Sequence, residues 1–193
     1  MAEGLLRFYF DFQCPYSYLG WELLHAHLRE KDFPVEMLAI GANPPANPAL
    51  LGRSLWSEKR WQAIGEHGKA IGLTIRRPPA ELTTNYPQQA LPYYDGIGMR
   101  EFVSAVFKGI FALGLDFSNT LTLQNHLQSE GVDTLPFTKA MADPAAARQA
   151  EDLTLLWGSH RIRTIPLLEA GSERLAGVFD KRSVDNFLTL SLG

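Results

Sequence analysis

The single cysteine of the chain, Cys14, is the residue best placed for covalent chemistry. It follows an apolar, aromatic-rich run, residues 5–10, which is typical of a β-strand covered on both faces. It precedes Pro15, which suits the first turn of a helix because its missing N–H would have no partner there. Cysteines at helix N-termini have pKa values lowered to about 3.5–7.5. The position therefore favours a nucleophilic thiolate, whereas a lone cysteine elsewhere is more often a small buried apolar residue.

Polar residues near Cys14 offer further chemistry. Ser17 and Tyr16 can hydrogen-bond a sulfur from the first helical turn, or only cap that turn. Asp11 can tune the thiolate or bond to the backbone of the turn, and we favour the structural role. Trp56 and Trp61 can line an aromatic pocket, although aromatic residues at that spacing more often belong to a core.

The histidines do not form a metal site. His25 and His27 lie two positions apart on a predicted helix and face different directions, and the others lack neighbours at ligand spacing. They are His67, His126 and His160. We expect surface histidines and no metal.

Length and composition indicate one globular domain. With 193 residues, 46% of them hydrophobic, and a net charge of −3, intrinsic disorder is excluded, and nucleic-acid or anionic-lipid binding is not expected. One cysteine cannot close an intramolecular disulfide, and no run approaches the roughly 20 apolar residues of a membrane span. The N-terminus has no basic region before a long apolar stretch, so we expect a mature cytoplasmic protein with no membrane partner.

The first 40 residues predict a β-α-β unit. A helix of about four turns should follow Pro15 and end near residues 31–34, and Val35–Ile40 predicts a second, parallel strand. Residues 41–55 hold three prolines and two glycines and predict a connection.

The middle of the chain is helical in its patterning. Ser57 predicts a helix through about Gly72, residues 99–113 predict a second that Gly114 closes, and Ser118 or Asn119 predicts the start of a third that Gly131 ends. Residues 76–94 are rich in proline and predict a long ordered loop or extended strap. Asp143 followed by Pro144 predicts the start of a helix to about Gly158.

The end of the chain predicts strands again. Ile165–Glu169 and Arg174–Val178 form a hairpin candidate, and Ser183–Leu192 a closing helix. Strands at both ends with helices between them predict one α/β sheet assembled from the two termini, with an all-helical insertion packed on it.

Several segments together resemble a known family. Residues 10–20, FDFQCPYSYLG, resemble the active-site segment of the DsbA-like thioredoxin-fold superfamily, most closely the branch of 2-hydroxychromene-2-carboxylate isomerases and kappa-class glutathione transferases. Residues 86–91 and 113–117 are similar to two further segments of that branch. Residues 162–166 resemble the cis-proline segment of the superfamily, and residues 177–182 loosely match the branch's Gly-x-Asp-Arg turn.

The resemblance implies a fold and a ligand. It implies an α/β, DsbA-like fold: a thioredoxin-like core of residues 1–42 and 144–193 with an all-helical insertion of residues 43–143. It also implies a cis Pro166 with the Ile165 backbone facing Cys14 across a groove, glutathione as co-substrate without a metal, and a homodimer. The residues implied to bind glutathione or substrate are Pro15, Tyr16, Gln89, Ile165, Pro166 and Asp180.

Two departures from the family pattern shape the functional expectation. Cys14 stands where the isomerase and transferase branch has a serine, and Ser17 replaces the second cysteine of the redox members, so the site is a monothiol. With Cys14 and Ser17 as catalytic residues, we expect an enzyme of the DsbA family, a glutathione-linked thiol-disulfide oxidoreductase. One alternative is a glutathione-dependent isomerase or transferase acting on a small aromatic substrate, and another is a non-catalytic thioredoxin-fold binding module.

Overall fold

The computed structural model describes residues 5–30, 33–40, 57–79, 82–159 and 162–192. A 3₁₀ turn, Leu91–Tyr93, follows the third helix, and a π-helical turn, Gly109–Leu113, extends the fourth. The strands and helices are β1 Leu6–Phe10, α1 Pro15–Glu30, β2 Val35–Ala39, α2 Glu58–Ala70, α3 Asn85–Ala90, α4 Gly96–Lys108, α5 Thr120–Ser129, α6 Leu135–Ala142, α7 Ala146–Ser159, β3 Leu167–Ala170, β4 Glu173–Ala176 and α8 Lys181–Leu192.

One mixed sheet joins the two ends of the chain. Its strand order is β2-β1-β3-β4, with β1 parallel to β2 and antiparallel to β3, and with β3 antiparallel to β4. In the central pair Leu6 lies opposite Ala170, and Tyr9 lies opposite Leu167. The prediction of a thioredoxin-like α/β sheet built from both termini around a helical insertion is therefore confirmed.

Aromatic packing fixes the insertion on the sheet. Phe10 of β1 packs against Phe107 of α4, with ring centroids 5.6 Å apart. Tyr18 of α1 stacks on Phe111 at 5.8 Å and 15°. Aromatic pairs of this kind stabilise beyond the area that they bury, so β1, α1 and the end of α4 share one core.

Several predicted helix boundaries are confirmed by their capping bonds. The Ser57 hydroxyl accepts a hydrogen bond from the Arg60 N–H at the start of α2. Asn119 Oδ1 accepts from the Leu121 and Thr122 N–H groups at the start of α5. Gly114 closes the α4 region in the left-handed conformation, with φ of 73°, and Asp143 Oδ1 accepts from the Ala145 N–H before α7.

Two predictions in the middle of the chain need correction. Residues 85–93 are not a loop but form α3 and the 3₁₀ turn, and α6 was not predicted. In both helices a proline lies in the first turn, Pro87 in α3 and Pro136 in α6, where an N–H has no helical acceptor and proline costs nothing. The boundary between residues 42 and 43, the connection 41–55 and Trp56 lie outside the described residues.

Within the described ranges, no helix has the length and apolar character that crossing a bilayer requires.

Candidate functional site

Cys14 lies at the N-terminal end of α1. Its carbonyl oxygen accepts from the Tyr18 N–H at 3.2 Å, which is the first hydrogen bond of the helix and makes Cys14 the N-cap residue. The side chain of an N-cap residue lies within reach of the N–H groups of the second and third helical residues, here Tyr16 and Ser17. Those donors and the helix dipole favour an anion. The residue is buried, with 4% of its surface exposed.

Asp11 builds the turn that presents Cys14. Its Oδ1 accepts from the Gln13 N–H at 2.7 Å, and its carbonyl oxygen accepts from the Cys14 N–H at 2.9 Å. The residue is completely buried. These bonds give Asp11 the structural role that the sequence favoured.

Ser17 is buried within the same turn. Its hydroxyl oxygen accepts from the Asp11 N–H at 3.3 Å, so it ties the end of β1 to the first turn of α1. The neighbouring Pro15 is buried as the first helical residue, and Tyr16 is half-buried.

The Ile165–Pro166 peptide bond is cis, as the family resemblance implies. Pro166 approaches α1 at Gly20: a β-carbon built on Gly20 would lie 3.2 Å from Cγ of Pro166 and 2.8 Å from the Phe179 ring. The half-buried Ile165 packs against a second apolar cluster that includes Tyr9 and Leu167. The cis-proline segment therefore adjoins the helix that begins at Cys14.

Thr84 belongs to the surroundings of the site and was missed in the sequence. Its buried hydroxyl oxygen accepts from the side-chain amides of Gln13 and Gln88, each at 3.4 Å. It thus ties the residue before Cys14 to the start of α3. The predicted ligand residue Gln89 lies next in α3 and is half-buried. No local pattern marks Thr84, because its importance arises from contacts 71 positions apart.

Asp180 is exposed at the start of α8. Its Oδ1 accepts from the Ser183 N–H at 2.7 Å, while the Ser183 hydroxyl accepts from the Asp180 N–H at 3.0 Å. These bonds to Ser183 lower the pKa of Asp180, so the carboxylate is ionised at neutral pH. It follows Phe179, which packs on Gly20, and so its position adjoins α1.

His67 contacts the Cys14 motif from the helical insertion. Its ring meets the Tyr16 ring edge-on, with centroids 6.2 Å apart and an interplanar angle of 77°. The sequence places His67 among surface histidines without a role. It is exposed as expected, but it adjoins the second residue after the cysteine.

The other histidines differ in their surroundings. His126 is buried, with Nε2 2.8 Å from the Ala105 carbonyl oxygen, so the surface prediction is wrong for it. Its polar ring is tolerated in the core because that carbonyl satisfies it. His25 is half-buried against Trp21, and burial lowers its pKa. His27 pairs with Asp185 at 2.8 Å, and His160 is outside the described residues.

No three potential metal ligands among the histidines, cysteines and acidic residues cluster in the part of the chain that the structure describes. Trp61 is half-buried and packs against the main core, in agreement with the structural alternative given for it.

Comparison with known proteins decides the family. Residues 5–190 match the model of the DSBA-like thioredoxin domain. The chain belongs to this DsbA-like family. No curated protein matches its sequence.

Several solved structures share the fold of this chain at low sequence identity. A 2-hydroxychromene-2-carboxylate isomerase superposes with a TM-score of 0.78 at 17% identity, covering 96% of this chain and 95% of its own. A probable DsbA oxidoreductase from Streptomyces coelicolor gives 0.77 at 18%, with coverage of 97% and 89%. The cytosolic disulfide reductase DsbM from Pseudomonas aeruginosa, solved with GSH, gives 0.68 at 14%, with coverage of 97% and 98%.

Proposed function

We propose that this DsbA-like protein is a glutathione-linked thiol-disulfide oxidoreductase with Cys14 as its nucleophile. The observation that carries the proposal is the position of the only cysteine at the N-cap of α1, on the helix against which the cis Pro166 packs. The helix terminus stabilises a thiolate, which is the form that attacks disulfides.

The reaction is an exchange in two steps. The Cys14 thiolate attacks the glutathione sulfur of a mixed disulfide between glutathione and a second thiol; the S–S bond breaks, and the second thiol leaves as its thiolate. The thiolate of a second glutathione then attacks the Cys14 adduct, which releases Cys14 and forms glutathione disulfide. Ser17 cannot resolve the adduct, so the second glutathione has to come from solution.

The small exposed fraction of Cys14 favours a small partner. A thiol on a residue that is 4% exposed is less accessible to the disulfide of a folded protein than to a tripeptide. In this proposal Pro15, Tyr16, Gln89 and the Ile165–Pro166 backbone contact glutathione, and the Asp180 carboxylate accepts from its α-ammonium group. The presence of GSH in the related DsbM structure supports this choice of co-substrate.

The need for a second thiol also favours a reducing compartment, as in the cytoplasm, where glutathione is kept reduced.

The test combines alkylation and intact mass. We expect the rate of alkylation by iodoacetamide to follow a midpoint below the ordinary cysteine pKa of about 8.5, and we expect oxidised glutathione to add one glutathione per chain. The adduct should be absent in Cys14→Ser. A midpoint at or above about 8.5 together with no adduct would contradict the redox proposal.

The second candidate is a glutathione-dependent isomerase or transferase. Its support is the likeness of the fold to 2-hydroxychromene-2-carboxylate isomerase and of residues 10–20 to that branch. In that reaction Cys14 and Ser17 would orient the sulfur of bound glutathione toward a small aromatic electrophile. Undiminished non-covalent glutathione binding by Cys14→Ser would favour this candidate, and binding without turnover of any such electrophile would favour a binding module.

A further inference from the structure

The segment that covers the start of α1 carries a charge opposite to that of the whole chain. Residues 57–79, which include α2, hold five basic and two acidic side chains, a net charge of +3 in a chain of −3. The basic residues are all exposed: Lys59, Arg60, Lys69, Arg76 and Arg77. We call residues 57–79 the cationic segment.

Two contacts fix the cationic segment next to the Cys14 motif. The first is the ring contact between His67 and Tyr16. The second runs through Arg76, whose N–H donates to the Phe111 carbonyl oxygen at 2.6 Å, while the Phe111 ring stacks on Tyr18. Both contacts reach the first turn of α1, so the cationic segment packs against the start of the helix that Cys14 caps.

The two acidic residues of the segment pair with cations of the same segment. Glu58 pairs with Arg77 at 2.6 Å, and Glu66 pairs with Lys69 at 3.0 Å. The segment keeps its net charge of +3 because its five basic residues outnumber these two acidic ones. Arg60 lies seven residues before His67, on the same side of α2.

His67 adds a polar group at the point of contact. Its Nδ1 lies 2.8 Å from the Ala63 carbonyl oxygen, which only accepts hydrogen bonds, so Nδ1 carries the proton. Nε2 is the other nitrogen of this exposed ring.

We propose that the cationic segment is the specificity-determining wall of the Cys14 site and draws in thiol or disulfide substrates that carry a carboxylate. The inference rests on the proposed function and adds a substrate charge and a set of residues to it. A cleft lined by charges of one sign raises the association rate of an oppositely charged ligand, and salt weakens the effect.

The test compares two alkylating reagents that differ only in charge. Iodoacetate and iodoacetamide react with the same thiolate, so the ratio of their rate constants cancels any change in thiolate fraction. The ratio measured for the protein is divided by the ratio measured for free N-acetylcysteine under the same conditions, which gives a normalised ratio. We expect the normalised ratio to exceed about 3 at low ionic strength and to fall toward 1 at about 1 M salt, where the Debye length is about 3 Å.

A matched pair of variants locates the effect. His67→Glu and Gln62→Glu each add a carboxylate at an exposed position of α2, but five helical residues turn Gln62 about 140° away from His67. We expect the low-salt ratio to fall about threefold or more in His67→Glu and by less than about 1.5-fold in Gln62→Glu. Arg60→Gln combined with Arg76→Gln should also lower it, whereas Arg29→Gln, at the far end of α1, should not.

Equal ratios in His67→Glu and Gln62→Glu, or a wild-type ratio equal to that of N-acetylcysteine at low salt, would overturn the proposal. Failure of the proposed function is a separate result: both reagents would then react slowly at neutral pH, and oxidised glutathione would leave no adduct. The ratio remains measurable in that case at a pH where the thiol ionises.

Discussion

The Ser17 hydroxyl accepts from the Asp11 N–H in a fully buried position. Removing it in Ser17→Ala leaves that N–H without its acceptor, and an unsatisfied buried donor costs about 1–3 kcal/mol. We expect urea unfolding to show a loss of that size, with the Cys14 alkylation midpoint unchanged. The exposed Ser172 in the hairpin turn provides the control, because Ser172→Ala should stay within about 0.5 kcal/mol. Unchanged stability together with a raised Cys14 alkylation midpoint would instead show that the Ser17 hydroxyl hydrogen-bonds to the Cys14 sulfur.

Asp180 combines a structural bond with a proposed ligand contact, and two substitutions separate them. Asp180→Ser keeps an oxygen that can cap α8 but removes the carboxylate, whereas Asp180→Ala removes both. We expect both variants to bind glutathione about tenfold more weakly by calorimetry, and only Asp180→Ala to lower the midpoint of urea unfolding. If Asp180→Ser bound glutathione with wild-type affinity, Asp180 would cap α8 but would not contact the ligand.

The contact between helix α1 and the cis-proline segment depends on the absence of a side chain at Gly20. In Gly20→Ala the new methyl group would meet the Phe179 ring at 2.8 Å and Pro166 at 3.2 Å. We expect a loss of about 1–3 kcal/mol in unfolding free energy from this overpacking, together with altered Cys14 alkylation.

Gly65 provides the matched control for that substitution. It lies within α2, and a β-carbon built there meets nothing within 4 Å. Gly65→Ala should therefore gain about 0.5–1 kcal/mol, because alanine loses less backbone entropy in a helix. If Gly20→Ala left the free energy of unfolding unchanged, the Phe179 ring would have moved aside without cost.

Local patterns in the sequence predict most of the strands and helices, but they miss two helices that carry proline in the first turn. The sheet strands, the capping residues Ser57 and Asn119, and the cis Pro166 all follow from short segments or from family resemblance. Around α3 the prolines of residues 76–94 suggest a loop because proline is read there as a helix breaker, and α6, which also has a proline in its first turn, was not predicted. The positions of Thr84 and His67 depend on how distant elements pack, which local periodicity does not encode.

For the whole molecule, buried tyrosines couple stability to alkaline pH. Burial raises the pKa of Tyr94 to about 12 and raises those of Tyr18 and Tyr9 as well. The folded state therefore holds these protons more tightly than the unfolded state, whose tyrosines titrate near pH 10. The stability they contribute is complete below pH 10 and is lost as the pH rises toward 12.

Tyr94→Phe tests this dependence. Unfolding free energies measured in urea between pH 9 and 12 should fall less steeply in the variant, by about 1.4 kcal/mol per pH unit where Tyr94 titrates only in the unfolded state. The variant should also be less stable at pH 8, because the Tyr94 hydroxyl donates to the Asp133 carbonyl oxygen at 2.8 Å. Parallel curves for the two proteins would contradict the burial effect.

The pairing of Leu6 with Ala170 in the central strands sets a delay during synthesis. A ribosome that adds about 5–20 residues per second needs about 8–30 s to make the intervening chain. Throughout that interval β1, with Phe8 and Phe10, can pair with β2 but keeps one edge open, and open aromatic edges recruit other chains. The length of the helical insertion therefore sets how long the open edge of β1 waits for β3 before the sheet can close.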